Sequence, residues 1–176
     1  MKTINYLLLT LGLTLASGLS LAADGYGSWK WAYFDDNSGT FALTASDSGK
    51  ALTQVCYFNT GECIYSVNFP ASCETGSSYS ALVNSDTAAF TIDMVCHNST
   101  SLGGFYNLAD FDRIDQIVRK SNKVGFAMAM EGGAFSVVRF SLSGSSATLD
   151  EMRKNFLVAS KAKDAISRQV KGDQVL

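Results

Sequence analysis

Apolar and polar residues alternate with a period of two through much of the chain, the mark of half-buried β-strands. The clearest case is residues 51–69. Residues 51–58 and 63–69 read as two strands joined by Asn59-Thr60-Gly61-Glu62, a turn-forming cluster with a glycine. Four-residue closure predicts Phe58 opposite Cys63, Cys56 opposite Tyr65 and Leu52 opposite Phe69. One face then carries Leu52, Cys56, Phe58, Cys63, Tyr65, Val67 and Phe69, with Gln54 its single polar member. A second pair, residues 78–83 and 88–96, flanks Asn84-Ser85-Asp86-Thr87 and puts Phe90, Ile92, Met94 and Cys96 on one face. Extending that hairpin sets Cys96 opposite Thr75, near Cys73. Upstream, residues 28–34 alternate Trp29, Trp31 and Tyr33 with Lys30 and Ala32, and residues 40–46 alternate Phe41, Leu43 and Ala45.

The period changes after Cys96. Residues 97–104 are polar and contain glycine, which predicts a loop. Residues 110–120 hold Phe111, Ile114, Ile117 and Val118 at helical spacing, with Asp110 placed to cap the first turn and Asp112 and Asp115 on the wet face. Residues 124–130 and 135–142 return to β around Glu131-Gly132-Gly133. The first of these strands sets Gly125, Ala127 and Ala129 on one face, small enough for the preceding helix to lie there. Residues 143–146 read as a loop, and Thr148-Leu149-Asp150-Glu151 as a capping box. Leu149, Met152 and Phe156 follow at core spacing, and Leu157 widens the stripe. The sum is a mainly β fold with two helices, an antiparallel β-sandwich or open barrel stapled by disulfides.

The N-terminus changes the picture of where this fold lives. Lys2, an apolar run over residues 6–15 and the small residues before Ala22 and Ala23 have the form of a secretory signal peptide, cut after Ala22. The organisation expected is residues 1–22 as signal peptide, 23–160 as one β-rich domain, and 161–176 as a basic tail, helical or frayed. No later run approaches the ~20 apolar residues a bilayer span needs. Charge is uneven. Residues 24–118 hold three Lys/Arg against eleven Asp/Glu, and residues 119–176 hold ten against five.

Export gives the four cysteines a meaning, because an oxidising compartment lets disulfides persist. A zinc site fails on spacing: there is no C-x-x-C pair, and the one histidine, His97, adjoins Cys96. Four cysteines allow three connectivities. The hairpin registers favour Cys56 with Cys63, lying diagonally and needing a bulge to meet, and Cys73 with Cys96.

The Trp-bearing first strand, the Cys-bearing hairpins and Phe140-Ser141-Leu142-Ser143-Gly144, with Leu149 opening the terminal helix, resemble the invasion-associated locus B family. The resemblance implies a small exported bacterial protein with a β-sandwich, and it carries over no catalytic residue.

Candidate chemistry is sparse. A nucleophilic triad would need His97 as base, but its neighbours Asn98, Ser99 and Thr100 are polar residues of the predicted loop and no G-x-S-x-G elbow occurs. Carboxylate pairs exist at Asp35/Asp36 and among Asp110, Asp112 and Asp115, yet a turn, a cap and a wet helix face account for them. The turn Asp35-Asp36-Asn37-Ser38-Gly39 lacks the spacing of a calcium loop. Asn98-Ser99-Thr100 fits a glycosylation sequon. Trp29, Trp31 and Tyr33 could form a binding platform, though an aromatic strand face more often belongs to a core. Lys161, Lys163 and Arg168 offer a basic surface for a partner. Neither a phosphate loop nor a nucleic-acid motif is present. The expectation is an exported, periplasmic or secreted, non-enzymatic binding domain. It needs no cofactor, binds no nucleic acid and meets an unknown envelope partner, with its own oligomeric state open. An envelope hydrolase or enzyme inhibitor is the alternative.

Overall fold

The computed structural model describes residues 24–172. The predicted signal peptide and cleavage site lie outside the described residues, as do the last four positions. Nine strands form one sheet: β1 (Trp29–Tyr33), β2 (Gly39–Ala45), β3 (Ala51–Tyr57), β4 (Cys63–Phe69), β5 (Ser78–Ser85), β6 (Ala89–Thr100), β7 (Gly103–Leu108), β8 (Lys123–Ala129) and β9 (Phe135–Ser141). Their order is β1-β2-β3-β4-β7-β6-β5-β8-β9 and every pairing is antiparallel. The sheet curls until its two edges meet at one end. There the Ser28 amide donates to the Ser143 carbonyl at 3.0 Å, and the Trp29 indole N–H to the Ser141 carbonyl at 3.2 Å. The result is an open barrel, with helices α1 (Phe111–Lys120) and α2 (Ser145–Gly172).

Alternation builds the interior. Trp29, Leu52, Tyr65, Val67, Phe69, Met94, Tyr106 and Phe126 are fully buried from the strands, joined by Ile114 and Val118 of α1 and by Leu149 and Met152 of α2. These faces are the ones period two predicts, but both hairpin registers move by two residues. In β3–β4 the closing pair is Tyr57 with Glu62, so Cys56 faces Cys63, Gln54 faces Tyr65 and Leu52 faces Val67. The Cys56–Cys63 bridge therefore joins residues directly opposite, with Cα atoms 4.0 Å apart, and needs no bulge. In β5–β6 the closing pair is Ser85 with Ala88, and Cys96 stands opposite Ser77 rather than Thr75. Cys73 still reaches Cys96 to form the second disulfide. A two-residue shift preserves which face each side chain takes, so the burial pattern survives it.

Three other expectations are overturned. Residues 97–104 are not a loop: β6 runs through Thr100, with its register shifting between Cys96 and Asn98, and β7 begins at Gly103. The polar run pairs through its backbone, which leaves no apolar alternation to read. Gly103 and Gly104 are required there, because a Cβ would meet the Phe69 carbonyl at 2.0 Å and Cys73 Sγ at 2.8 Å. Second, α2 starts three residues before the proposed capping box. The Ser145 and Ser146 hydroxyls donate to the Val118 and Arg119 carbonyls at 2.5 and 2.9 Å, satisfying the end of α1. Thr148 is fully buried inside the helix and accepts the Tyr26 amide at 3.0 Å. Third, α1 does not lie on the small face of β8. It packs on the interior side, with Phe111 against Tyr65 at 5.2 Å, and leaves Gly125 and Ala127 facing outward.

Candidate binding surface

The residues singled out by sequence are scattered. Trp29 and Trp31 are buried, and only Tyr33 of that row is exposed, so the row belongs to the core. Strand alternation toward the barrel interior explains this, since Trp29 and Trp31 share one face. His97 is exposed at the register shift in β6. Asp35 and Asp36 are exposed, and Asp36 accepts the Ser38 amide at 2.9 Å as a turn-former. The Ser38 hydroxyl, followed by that amide, holds its carboxyl below the usual range. Lys161 is exposed. Lys163 reaches the Asn37 carbonyl and lies 4.3 Å over the Phe58 ring. The Arg168 side chain lies outside the described residues. Leu157, expected to dock, is 57% exposed.

Sequence reading missed a polar cluster between the helices and the barrel. Asp115, placed on the wet face of α1, is instead turned inward between the helices and the barrel. It receives the Tyr65 hydroxyl at 2.7 Å, Arg153 Nη2 at 2.5 Å and Nη1 at 3.2 Å, and Arg119 Nε at 3.1 Å. Arg153 Nε also donates to Gln54 Oε1 at 2.8 Å, and Arg119 Nη1 to Asp150 Oδ1 at 2.7 Å. Burial works against the Asp115 charge, but hydrogen bonds from Arg153 and Tyr65 and the two guanidinium charges outweigh it and hold its carboxyl below the usual range. Burial, followed by the Asp115 charge, pushes the Tyr65 phenol well above its ordinary value. A carboxylate that accepts four bonds has no lone pair left for a substrate, so the cluster fixes helices to sheet rather than performing chemistry. The one available signal was Gln54, a polar residue at an inward position.

Among the described residues, two hollows of similar volume are open, one of about 340 Å³ where Trp31, Tyr33, Asp35 and Asn37 meet, and one on the outer face of β5, β8 and β9. Pairing aligns Leu82, Ala127 and Val137 in one row and Asn84, Gly125 and Arg139 in the next. Because Gly125 has no side chain, the two rows enclose a groove of about 350 Å³, ending at Ser85, Asp86 and Lys123. Leu82 and Val137 are 47% and 42% exposed, and Phe135, one row further, 67%. The Asn122 backbone amide and side chain bind Asp86 at 2.7–3.1 Å and keep its carboxyl below the usual range. The groove thus has an apolar Leu82-Ala127-Val137 row on one side, Asn84 and Arg139 on the other, and charge at its Asp86 and Lys123 end.

No protein-family model and no curated protein matches the chain. The fold does match a solved one, the crystal structure of invasion associated protein B from Bartonella henselae, with a TM-score of 0.57 at 14% identity over 75% of this chain and 96% of that chain. The chain therefore shares the fold of that protein. Among the described residues, no helix is long and apolar enough to cross a membrane.

Proposed function

We propose that the protein is an exported, non-enzymatic interaction domain of the bacterial envelope or secretome. The observation that carries this reading is the contrast between its polar groups. The half-buried charge cluster around Asp115 is consumed by its own partners, whereas the β5–β8–β9 face leaves a groove with an apolar Leu82-Ala127-Val137 row beside an edge strand. Two disulfides suit an oxidising compartment, and the fold is also used by an invasion-associated bacterial protein. The test is a photo-crosslinking residue at Leu82, with the chain expressed in a bacterium that exports it. Adducts at Leu82 that are absent when the same residue replaces Thr53 support the reading. Equal labelling at both sites, or retention of the chain in the cytoplasm, overturns it.

A further inference from the structure

The β9 edge carries a pairing code of its own. Two bonds fix the parity of the β8–β9 ladder: the Met130 amide to the Ala134 carbonyl at 2.8 Å, and the Leu142 amide to the Asn122 carbonyl at 2.9 Å. With the observed register, Ser136, Val138 and Phe140 then bond to β8. The N–H and C=O groups of Phe135, Val137 and Arg139 point the other way, to the open edge. Ser141 and Ser143 share that parity, and their carbonyls do point away from β8, to Ser28 and Trp29. The free stretch is therefore 135–139, where the edge has departed from β1.

We propose that this stretch pairs with its own copy, β9 against β9 antiparallel about a two-fold axis at Val137. The proposal rests on the interaction-domain reading and names its partner as a second copy of the chain. Register follows by elimination. Only residues 135, 137 and 139 offer free groups, and an axis at Ser136 or Val138 would pair only two of them, setting Arg139 against Gly133 or Phe135 against Ser141, so the axis passes through one of the three. An axis at Phe135 would need Gly133 in extended pairing, but Gly133 sits in a tight turn at φ 81°. An axis at Arg139 would oppose two guanidinium groups and pair Val137 with Ser141, whose carbonyl is already taken. An axis at Val137 sets Val137 against itself and each Phe135 against the partner's Arg139. All the free groups are then used, making about six backbone hydrogen bonds from three pairs. On the outer face the partner's Phe135 ring meets the Arg139 guanidinium, a favourable cation–π pair. The two Leu82-Ala127-Val137 rows become one continuous apolar strip. The charge that guards a lone edge strand becomes a specificity element when the edge meets itself.

The experiment measures the mass of the full chain, recovered from the oxidising compartment of an exporting host, by light scattering over a concentration series. An increase of about twofold with concentration is expected. Val137→Lys, an exposed substitution that puts like charges on the axis, should hold the mass at the monomer value with an unchanged circular dichroism spectrum. Phe135→Glu should retain the dimer, because glutamate then faces the partner's arginine, while Arg139→Glu with Phe135→Glu should abolish it. A monomer at every concentration, or a dimer indifferent to Val137→Lys, overturns self-pairing. If it fails while Leu82 still gives its own adducts, the interaction-domain reading stands and only the partner is wrong. Loss of the adducts overturns that reading separately.

Discussion

The helix-facing side of the barrel and its β5–β8–β9 face use polar groups in opposite ways. On the helix side, Asp115, Arg153, Arg119, Tyr65 and Gln54 are bonded to one another, and the Ser145 and Ser146 hydroxyls close the end of α1. On the outer face, β9 keeps free backbone groups beside exposed Phe135 and Val137. The first arrangement specifies one placement of two helices on a sheet, since a half-bonded charge there would be costly. The second leaves its hydrogen-bonding capacity for something outside the chain. The bonded charges mark structure, although the Gln54 amide nitrogen beside them is buried without a partner, and the open edge marks the place to look for partners.

The largest blow to the closed side is Phe156→Ala. Phe156 is 5% exposed and stacks on Phe58 at 5.1 Å, joining α2 to the β3–β4 turn. Its loss should cost about 3–5 kcal/mol in denaturant unfolding. The disulfides come next, and they differ from each other. The Cys73–Cys96 bridge spans 23 residues and Cys56–Cys63 spans 7. Loop entropy then gives about 3 kcal/mol for removing the first and about 2 kcal/mol for the second. Paired Cys→Ala variants measured side by side check that order, and equal losses would refute the loop-length account.

A smaller effect separates charge from packing. Asp115→Asn keeps the shape but weakens bonds to two guanidinium groups, for a loss of about 1–3 kcal/mol at neutral pH. Because the folded carboxyl titrates below its ordinary value of 3.8, its contribution is fully present above that value and is lost as pH falls through the folded value. Asp36 and Asp86 are lowered as well and act in the same direction. Unfolding curves at pH 7 and pH 3 should therefore show a shallower acid loss in Asp115→Asn than in the parent. An unchanged slope would mean that the cluster is no more stable charged than neutral.

Much of the fold was legible because period two survives a register error. Both hairpins were misregistered by two residues, yet Leu52, Tyr65, Val67 and Met94 face inward as expected. The end of β6 was not legible, since residues 97–100 pair through backbone and carry no alternating apolar signal, and β7 has only Tyr106 and Leu108 to show alternation after its two glycines. Asp115 was misread for a related reason. Helical periodicity puts it beside polar neighbours, and only the arrival of Arg153 from α2, 38 residues away, makes its position interior. The β9 edge was invisible for the opposite reason: strand order decides which backbone groups are free, and no residue type reports it.

The smallest effect concerns the end of α2, where sequence predicts a basic tail that buries too little to be held by the domain. The helix continues to Gly172, but Leu157 and Val158 are exposed and residues 161–165 are exposed throughout. The contact that counts against a free tail is Lys163, bonded to the Asn37 carbonyl and placed over Phe58. A cation–π pair at an exposed site contributes about 0.5–1 kcal/mol. Removing residues 161–176 should therefore lower stability by no more than about 1 kcal/mol, and Lys163→Ala alone should account for nearly all of it. If the deletion costs several-fold more than Lys163→Ala, the end of α2 belongs to the packed domain and the boundary at residue 160 is wrong. If the two losses match, the tail is joined to the barrel at one point, through Lys163.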